Sequence, residues 1–206
     1  MKNILAFLIK VGKLKEKKRR GWVLRNVKNP ETIADHTFRM AMMSWLLGEQ
    51  RKLNINKIIK MSLIHDLCEV YSEDITPYDK LLSKDKKQWK EMFNKWPRLP
   101  KKEKEKIFLE KYKKENEALE KLILKLPPPL KKEIRNLWID YEEGLTREGR
   151  FVRQVDRVEN LLQALQYWKK GKQFAIESWW IQIEELVDDP ILLEFIKVLD
   201  KKFHQK

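Results

Sequence analysis

Cysteine is almost missing from this chain: a single one, Cys68, stands among 206 residues. That excludes an internal disulfide framework and fits a reducing cytosol. Glycine and proline are scarce, 6 and 8 residues, and alternating β-branched stretches are few, which argues against a strand-rich fold with frequent turns. No apolar run approaches the length of a membrane span, and the N-terminus lacks the small-residue cleavage site of a secretory leader. The expectation is a cytoplasmic protein with no membrane partner. Histidine is rare as well. Of His36, His65 and His204, the last lies in a polar tail, so only two are placed where they can take part in a buried site.

What is present points to helices. Hydrophobic residues make up 42% of the chain, enough for a core, and they recur at helical spacing nearly throughout, which predicts an all-α fold. The formal net charge is +14. Such an excess suits an anionic ligand such as a nucleotide or nucleic acid. Lysine and glutamate are also interspersed in the manner of a heat-adapted surface, and bulk charge locates no site.

In chain order, the pattern predicts a helix over residues 4–14, then a basic run to Arg20 and a loop or extended piece at Trp22–Val27. Asn29-Pro30-Glu31 reads as the start of a second helix, with a capping Asn and a proline in the first turn, ending near Gly48. A third helix is expected over residues 54–70, broken afterwards by Asp74-Ile75-Thr76-Pro77. Residues 80–106 are lysine-rich, carry Trp89, Phe93 and Trp96 at helical spacing, and read as a helical surface insertion in what is otherwise one domain over 1–206. Helices over 103–126, 130–143 and 149–167 follow. One or two closing helices over 179–203 are interrupted at Asp189-Pro190.

The third helix carries the chemistry. His65 and Asp66 stand side by side at the end of the apolar run Ile58-Ile59-Lys60-Met61-Ser62-Leu63-Ile64. A carboxylate in such a place costs several kcal/mol unless it is paired or bound to a metal. If the helix continues, Glu69 at three and four residues on shares their face. His36 sits on the inner face of the second helix and Asp156 on that of the 149–167 helix. Two histidines and two aspartates form a mixed nitrogen and oxygen set suited to a borderline divalent metal, with positions left for water and a phosphate oxygen.

The order His36…His65-Asp66…Asp156 resembles the signature of the HD superfamily of metal-dependent phosphohydrolases. The words around it are more specific: Gly21-Trp22-Val23-Leu24-Arg25-Asn26-Val27, Glu31-Thr32-Ile33-Ala34-Asp35-His36, Arg39-Met40-Ala41-Met42-Met43, Ile64-His65-Asp66-Leu67-Cys68-Glu69, Asp74-Ile75-Thr76-Pro77 and Phe151-Val152-Arg153-Gln154-Val155-Asp156. Together they resemble the YfbR-like 5′-deoxynucleotidases and the HD domain-containing protein 2 group. The resemblance implies an HD-domain helical bundle and a homodimer. It implies one divalent metal ion, cobalt or manganese, held by His36, His65, Asp66 and Asp156. Glu69 would align or activate the attacking water, and Asp74 would bind the sugar or join the catalysis. Arg19 or Arg20, with Trp22, would face a nucleoside 5′-monophosphate substrate. The chain departs from the pattern at Gly21, which separates Arg20 from Trp22, at Glu73, where relatives carry glycine, and in the length of the 80–106 insertion.

Plainer readings stand beside these. Trp22 is a core aromatic as readily as a stacking face, and Arg19 and Arg20 can belong to a solvated face. Cys68 reads as a small buried hydrophobe, Glu159 as structural, and Asp35 as an acid near the site or on the helix surface. Other substrates of the superfamily also stay open: triphosphates, guanosine tetraphosphate and cyclic dinucleotides. Bimetallic members need further histidines, and none are to spare here. A basic nucleic-acid-binding protein is a separate possibility, but it leaves the His/Asp set unexplained and no stable nucleic-acid partner is expected.

Overall fold

The computed structural model describes residues 1–72, 100–171, 174 and 176–204. Among them the secondary structure is helical, with one isolated bridge between Lys18 and Thr32. The all-α expectation therefore holds for the described chain. The proposed insertion lies outside the described residues, apart from its last part, which forms the beginning of a long helix. Asp74 and Glu73 lie outside them too.

The elements are α1 (Lys2–Val11), a 3₁₀ turn (Gly12–Lys15), α2 (Arg20–Leu24), α3 (Ile33–Gln50), α4 (Ile55–Ile64), a second 3₁₀ turn (Leu67–Val70), α5 (Lys101–Ile123), α6 (Pro128–Glu143), α7 (Arg147–Lys169), α8 (Glu177–Leu186) and α9 (Pro190–His204). They fall into two compact units. The first comprises Met1–Asp35 and Ile64–Trp138, the second His36–Leu63 and Ile139–Lys206.

In the first unit, α5 packs on the 3₁₀ turn Leu67–Val70, and α1 touches both. Leu119 and Ile123 of α5 are fully buried, four residues apart on one face, and Leu67, Cys68 and Val70 of the turn are buried as well. The segment Trp22–Val27, expected as a loop, contains the short helix α2 instead. Trp22 and Leu24 are buried within it, so tertiary burial fixes a helical turn that local sequence does not announce. Asn26 closes it at φ 57°, a left-handed conformation that Asn tolerates better than most side chains.

In the second unit, α7 packs against α8 and α9. Its buried residues Phe151, Val152, Val155, Val158, Leu161 and Leu165 reproduce the apolar face read from the sequence. The helix begins two residues earlier than expected because Thr146 caps it, its hydroxyl accepting from the Gly149 amide at 3.1 Å. Gly149 lets the backbones of α6 and α7 close up: a Cβ there would stand 2.3 Å from Asp140 Oδ1 and 2.5 Å from its carbonyl oxygen. Helix α6 stops at Gly144, φ +63°, whose amide returns to the Asp140 carbonyl at 2.8 Å. Asp140 then accepts from Thr146 N at 2.8 Å and Thr146 Oγ1 at 2.7 Å, and pairs with Lys57 Nζ at 2.7 Å. Burial alone would raise the Asp140 carboxyl, but Lys57 and Thr146 outweigh it and hold it below the usual carboxylate range.

Helix α3 begins later than Asn29-Pro30-Glu31 suggests. Thr32 and Asp35 form the reciprocal cap: the Asp35 amide donates to Thr32 Oγ1 at 3.0 Å and the Thr32 amide to Asp35 Oδ2 at 2.8 Å. These bonds, the backbone one first, lower the Asp35 carboxyl. Asp35 is thus a capping residue.

Candidate active site

The sequence-predicted residues fall into two groups, one in each unit, and different devices hold them. In the second unit the groups come from α3 and α7. His36 is fully buried, and Asp156 is 5% exposed. His36 Nε2 lies 3.3 Å from Asp156 Oδ1, while its Nδ1 meets Glu159 Oε2 at 2.5 Å. Asp156 is steadied from three sides: Tyr141 Oη donates to Oδ2 at 3.2 Å, Asn160 Nδ2 to Oδ1 at 2.9 Å, and Arg157 Nη1 lies 3.3 Å from Oδ2. Each ring nitrogen of His36 thus faces a carboxylate oxygen, Nδ1 that of Glu159 and Nε2 that of Asp156. Metal-ligating histidines are commonly held in this way, the far ring nitrogen donating to a carboxylate.

Glu159 has no exposed surface. Arg39 Nε donates to its Oε1 at 2.8 Å, and Arg39 Nη2 contacts the same oxygen. The sequence reading classed Glu159 as structural and passed over Arg39. The available signal was spacing. Asp156 and Glu159 are three apart on α7, as are His36 and Arg39 on α3, so each pair shares a helix face.

In the first unit the predicted geometry is corrected. His65, Asp66 and Glu69 do not share one helix face. Helix α4 ends at Ile64, His65 and Asp66 form a turn, and Glu69 sits in the 3₁₀ turn that follows. His65 and Glu69 are each 2% exposed. His65 Nε2 lies 3.1 Å from Asp66 Oδ2, and Arg19 Nη1 pairs with that same oxygen at 2.9 Å. Arg19 is therefore ion-paired to the aspartate of the His-Asp pair. The backbone places it: Arg19 N donates to Glu31 O at 3.0 Å and Ile33 N to Lys17 O at 2.9 Å. Lys17, unremarked in the sequence, spends its ammonium on the carbonyls of Glu69, Val70 at 3.3 Å and Ser72 at 3.2 Å. It thereby satisfies the orphan carbonyls at the end of the turn that carries Glu69.

Trp22 is 3% exposed and donates its indole N–H to Glu31 Oε1 at 2.9 Å. Of its two readings, the structure shows the core aromatic. Arg20 opens α2 and is half-buried. Cys68 is buried, and burial first, then the negative charges of Glu115, Asp66 and Glu69, push its thiol up. A buried thiol held in its protonated form is no nucleophile.

A family model for the HD domain matches residues 11–187. The chain is 37% identical over 172 residues to the 5′-deoxynucleotidase HDDC2 of Xenopus laevis, covering 84% of this chain and 73% of that protein. With the 5′-deoxynucleotidase HDDC2 of Danio rerio the identity is 31% over 203 residues, 98% of this chain and 88% of that one. Among solved structures, a conserved hypothetical protein from Pyrococcus furiosus is similar with a TM-score of 0.69 and 26% identity, over 96% of this chain and 99% of that one. The HD signature read from the sequence, the all-α fold and these likenesses over most of the chain agree: the chain belongs to the HD-domain family, in the group of the HDDC2 5′-deoxynucleotidases.

Proposed function

We propose that the protein is a metal-dependent 5′-deoxynucleotidase, releasing inorganic phosphate from deoxyribonucleoside 5′-monophosphates and less readily from their ribo counterparts. One observation carries the metal: the buried Nε2 of His36, its Nδ1 committed to Glu159, faces Asp156 Oδ1 at 3.3 Å. A buried nitrogen and a buried carboxylate oxygen at that separation are donors that one cation can bridge. The ligand set we assign is His36, His65, Asp66 and Asp156, whose nitrogen and oxygen donors suit a borderline divalent ion such as cobalt or manganese.

When bound, the ion supplies Lewis acidity and a water of lowered pKa. The chain's own residues do the rest. Glu69, buried on its 3₁₀ turn, takes the proton of the attacking water. The water oxygen bonds to phosphorus as the bond to O5′ breaks; the leaving alkoxide takes a proton from solvent to become the nucleoside, and Glu69 gives its proton back to solvent. Arg19 and Arg20 offset the phosphoryl charge, since phosphoryl transfer is won by positioning and electrostatics. Trp22 supports this by holding Glu31, which in turn holds the Arg19 amide. Asp74 contacts the sugar.

A homodimer and a cytoplasmic location complete the reading. The dimer is supported by Phe38, Met42, Trp45 and Leu46, exposed apolar residues at helical spacing on α3. Among the described residues no helix is long and apolar enough to cross a membrane.

The test is phosphate release from a panel of ribo- and deoxyribonucleoside monophosphates by chelator-treated protein, with each metal restored in turn. We expect activity only with metal, higher kcat/KM for the deoxy member of each pair, and little choice among bases. Metal-independent release would remove the metal from the scheme, and equal values for the two sugars would remove Asp74 from the sugar pocket.

A further inference from the structure

Two polar stripes face each other in the second unit. On α3, His36 and Arg39 are three residues apart. On α7, Asp156, Glu159, Gln163 and Gln166 follow at spacings of three, four and three, the repeat of one helix face. They join into a chain of contacts. Gln166 Oε1 accepts from Arg39 Nη1 at 2.7 Å and Gln163 Oε1 from Arg39 Nη2 at 2.6 Å. Arg39 grips Glu159 Oε1, and the other oxygen, Oε2, takes the Nδ1 side of His36. The two oxygens of one buried carboxylate are thus divided between a guanidinium and an imidazole. Arg39 keeps 26% of its side chain exposed, whereas Glu159 and His36 have none exposed.

We propose that Arg39 is a positioning residue for His36. By fixing the Glu159 carboxylate in one orientation it anchors the His36 ring through Nδ1 and directs Nε2 at Asp156. Gln163 and Gln166 hold the guanidinium fork so that it cannot swing to solvent. Lysine cannot replace this arrangement, because a point charge lacks the planar fork that addresses three acceptors at once. The inference rests on the metal reading above only for its consequence; the anchoring of the ring is a property of this chain without any ion.

The experiment reads both. In metal-free protein, ¹H–¹⁵N imidazole spectra report whether the His36 Nδ1–H is held in a hydrogen bond, and with three histidines in the chain the His36 signals are assignable by His36→Gln. We expect wild-type His36 to show a downfield, slowly exchanging Nδ1–H and Arg39→Met to lose it. In parallel, calorimetric titration with Co²⁺ should show Arg39→Met binding roughly 10–100-fold more weakly, with Arg39→Lys recovering little. Glu159→Gln should weaken binding at least as much, and adding Arg39→Met to it should cost almost nothing further. If Arg39→Met leaves the His36 Nδ1–H signal unchanged, or if the two losses add in full, Arg39 does not act through Glu159 and the proposal is overturned. If wild-type protein takes up no Co²⁺ while the Nδ1–H signal still responds to Arg39, the metal reading fails and the positioning role stands. Should Arg39→Met not fold, Gln163→Leu with Gln166→Leu frees the same fork and is read by the same shifts.

Discussion

The helix-borne and turn-borne halves of the candidate residue set, one in each unit, are held in place differently. On α3 and α7 the register of two regular helices places His36, Asp156, Glu159 and Arg39, and backbone hydrogen bonding is left intact. At His65, Asp66 and Glu69 a helix gives way to a turn and then to 3₁₀ geometry, and the broken backbone is mended by cations from far along the chain: Lys17 on three carbonyls and Arg19 on Asp66. The first kind rests on helix register and on side chains of the same two helices. The second depends on individual side chains 47 to 55 residues away.

Four substitutions probe that contrast. Glu69→Gln strikes the chemistry of the turn-borne half. Turnover should fall by about 10²–10⁴-fold with metal affinity and melting temperature kept; a loss below about tenfold would strip Glu69 of its role. Asp140→Asn strikes the scaffold of the helix-borne half, where α6 meets α7. It should destabilise the fold by about 2–3 kcal/mol in denaturant titrations at neutral pH. The sign with pH follows from the depressed Asp140 carboxyl. Its contribution is present above the unfolded value of about 3.9 and is lost as pH falls through the lower folded value. The gap between wild type and variant should therefore be flat from pH 6 to 8 and narrow in acid; a gap that widens in acid would contradict this.

Lys17→Met should cost less, about 1–2 kcal/mol, but locally. Hydrogen exchange at the Glu69, Tyr71 and Ser72 amides, which donate to Asp66 and Cys68 carbonyls, should speed up while α7 is unaffected. Uniform acceleration would mean that Lys17 stabilises the whole and not the turn. Smallest of all, Trp22→Phe keeps the buried ring and drops only the bond to Glu31. It should lower kcat/KM by no more than about tenfold, equally for every base. A base-dependent loss would restore Trp22 as a stacking face.

Most helices were legible because their apolar periodicity is strong and their stops are local, Gly144 and Pro190 being examples. The α3 start was legible too, in Thr32 and Asp35, but the Asn29-Pro30-Glu31 signal competes with it. The turn at His65-Asp66 was not. Nothing in Ile64-His65-Asp66-Leu67-Cys68-Glu69 is a breaker, and the apolar rhythm runs straight through. The break is stabilised by Lys17 and Arg19, and a local reading has no access to partners half a hundred residues distant. The same holds for α2, formed by burial of Trp22 and Leu24. The identities of the candidate ligands were readable from type and order. Their support, Glu159, Arg39 and Lys17, required coordinates.

Each unit is assembled from two stretches of chain that alternate along the sequence. His36 belongs to a stretch made early, and Glu159, its partner, follows 123 residues later. At translation speeds of about 5–20 residues per second, the histidine spends roughly 6 to 25 seconds in the nascent chain before its carboxylate exists. During that interval nothing holds its ring: neither the burial of His36 nor its orientation is complete until the α7 stretch has been made.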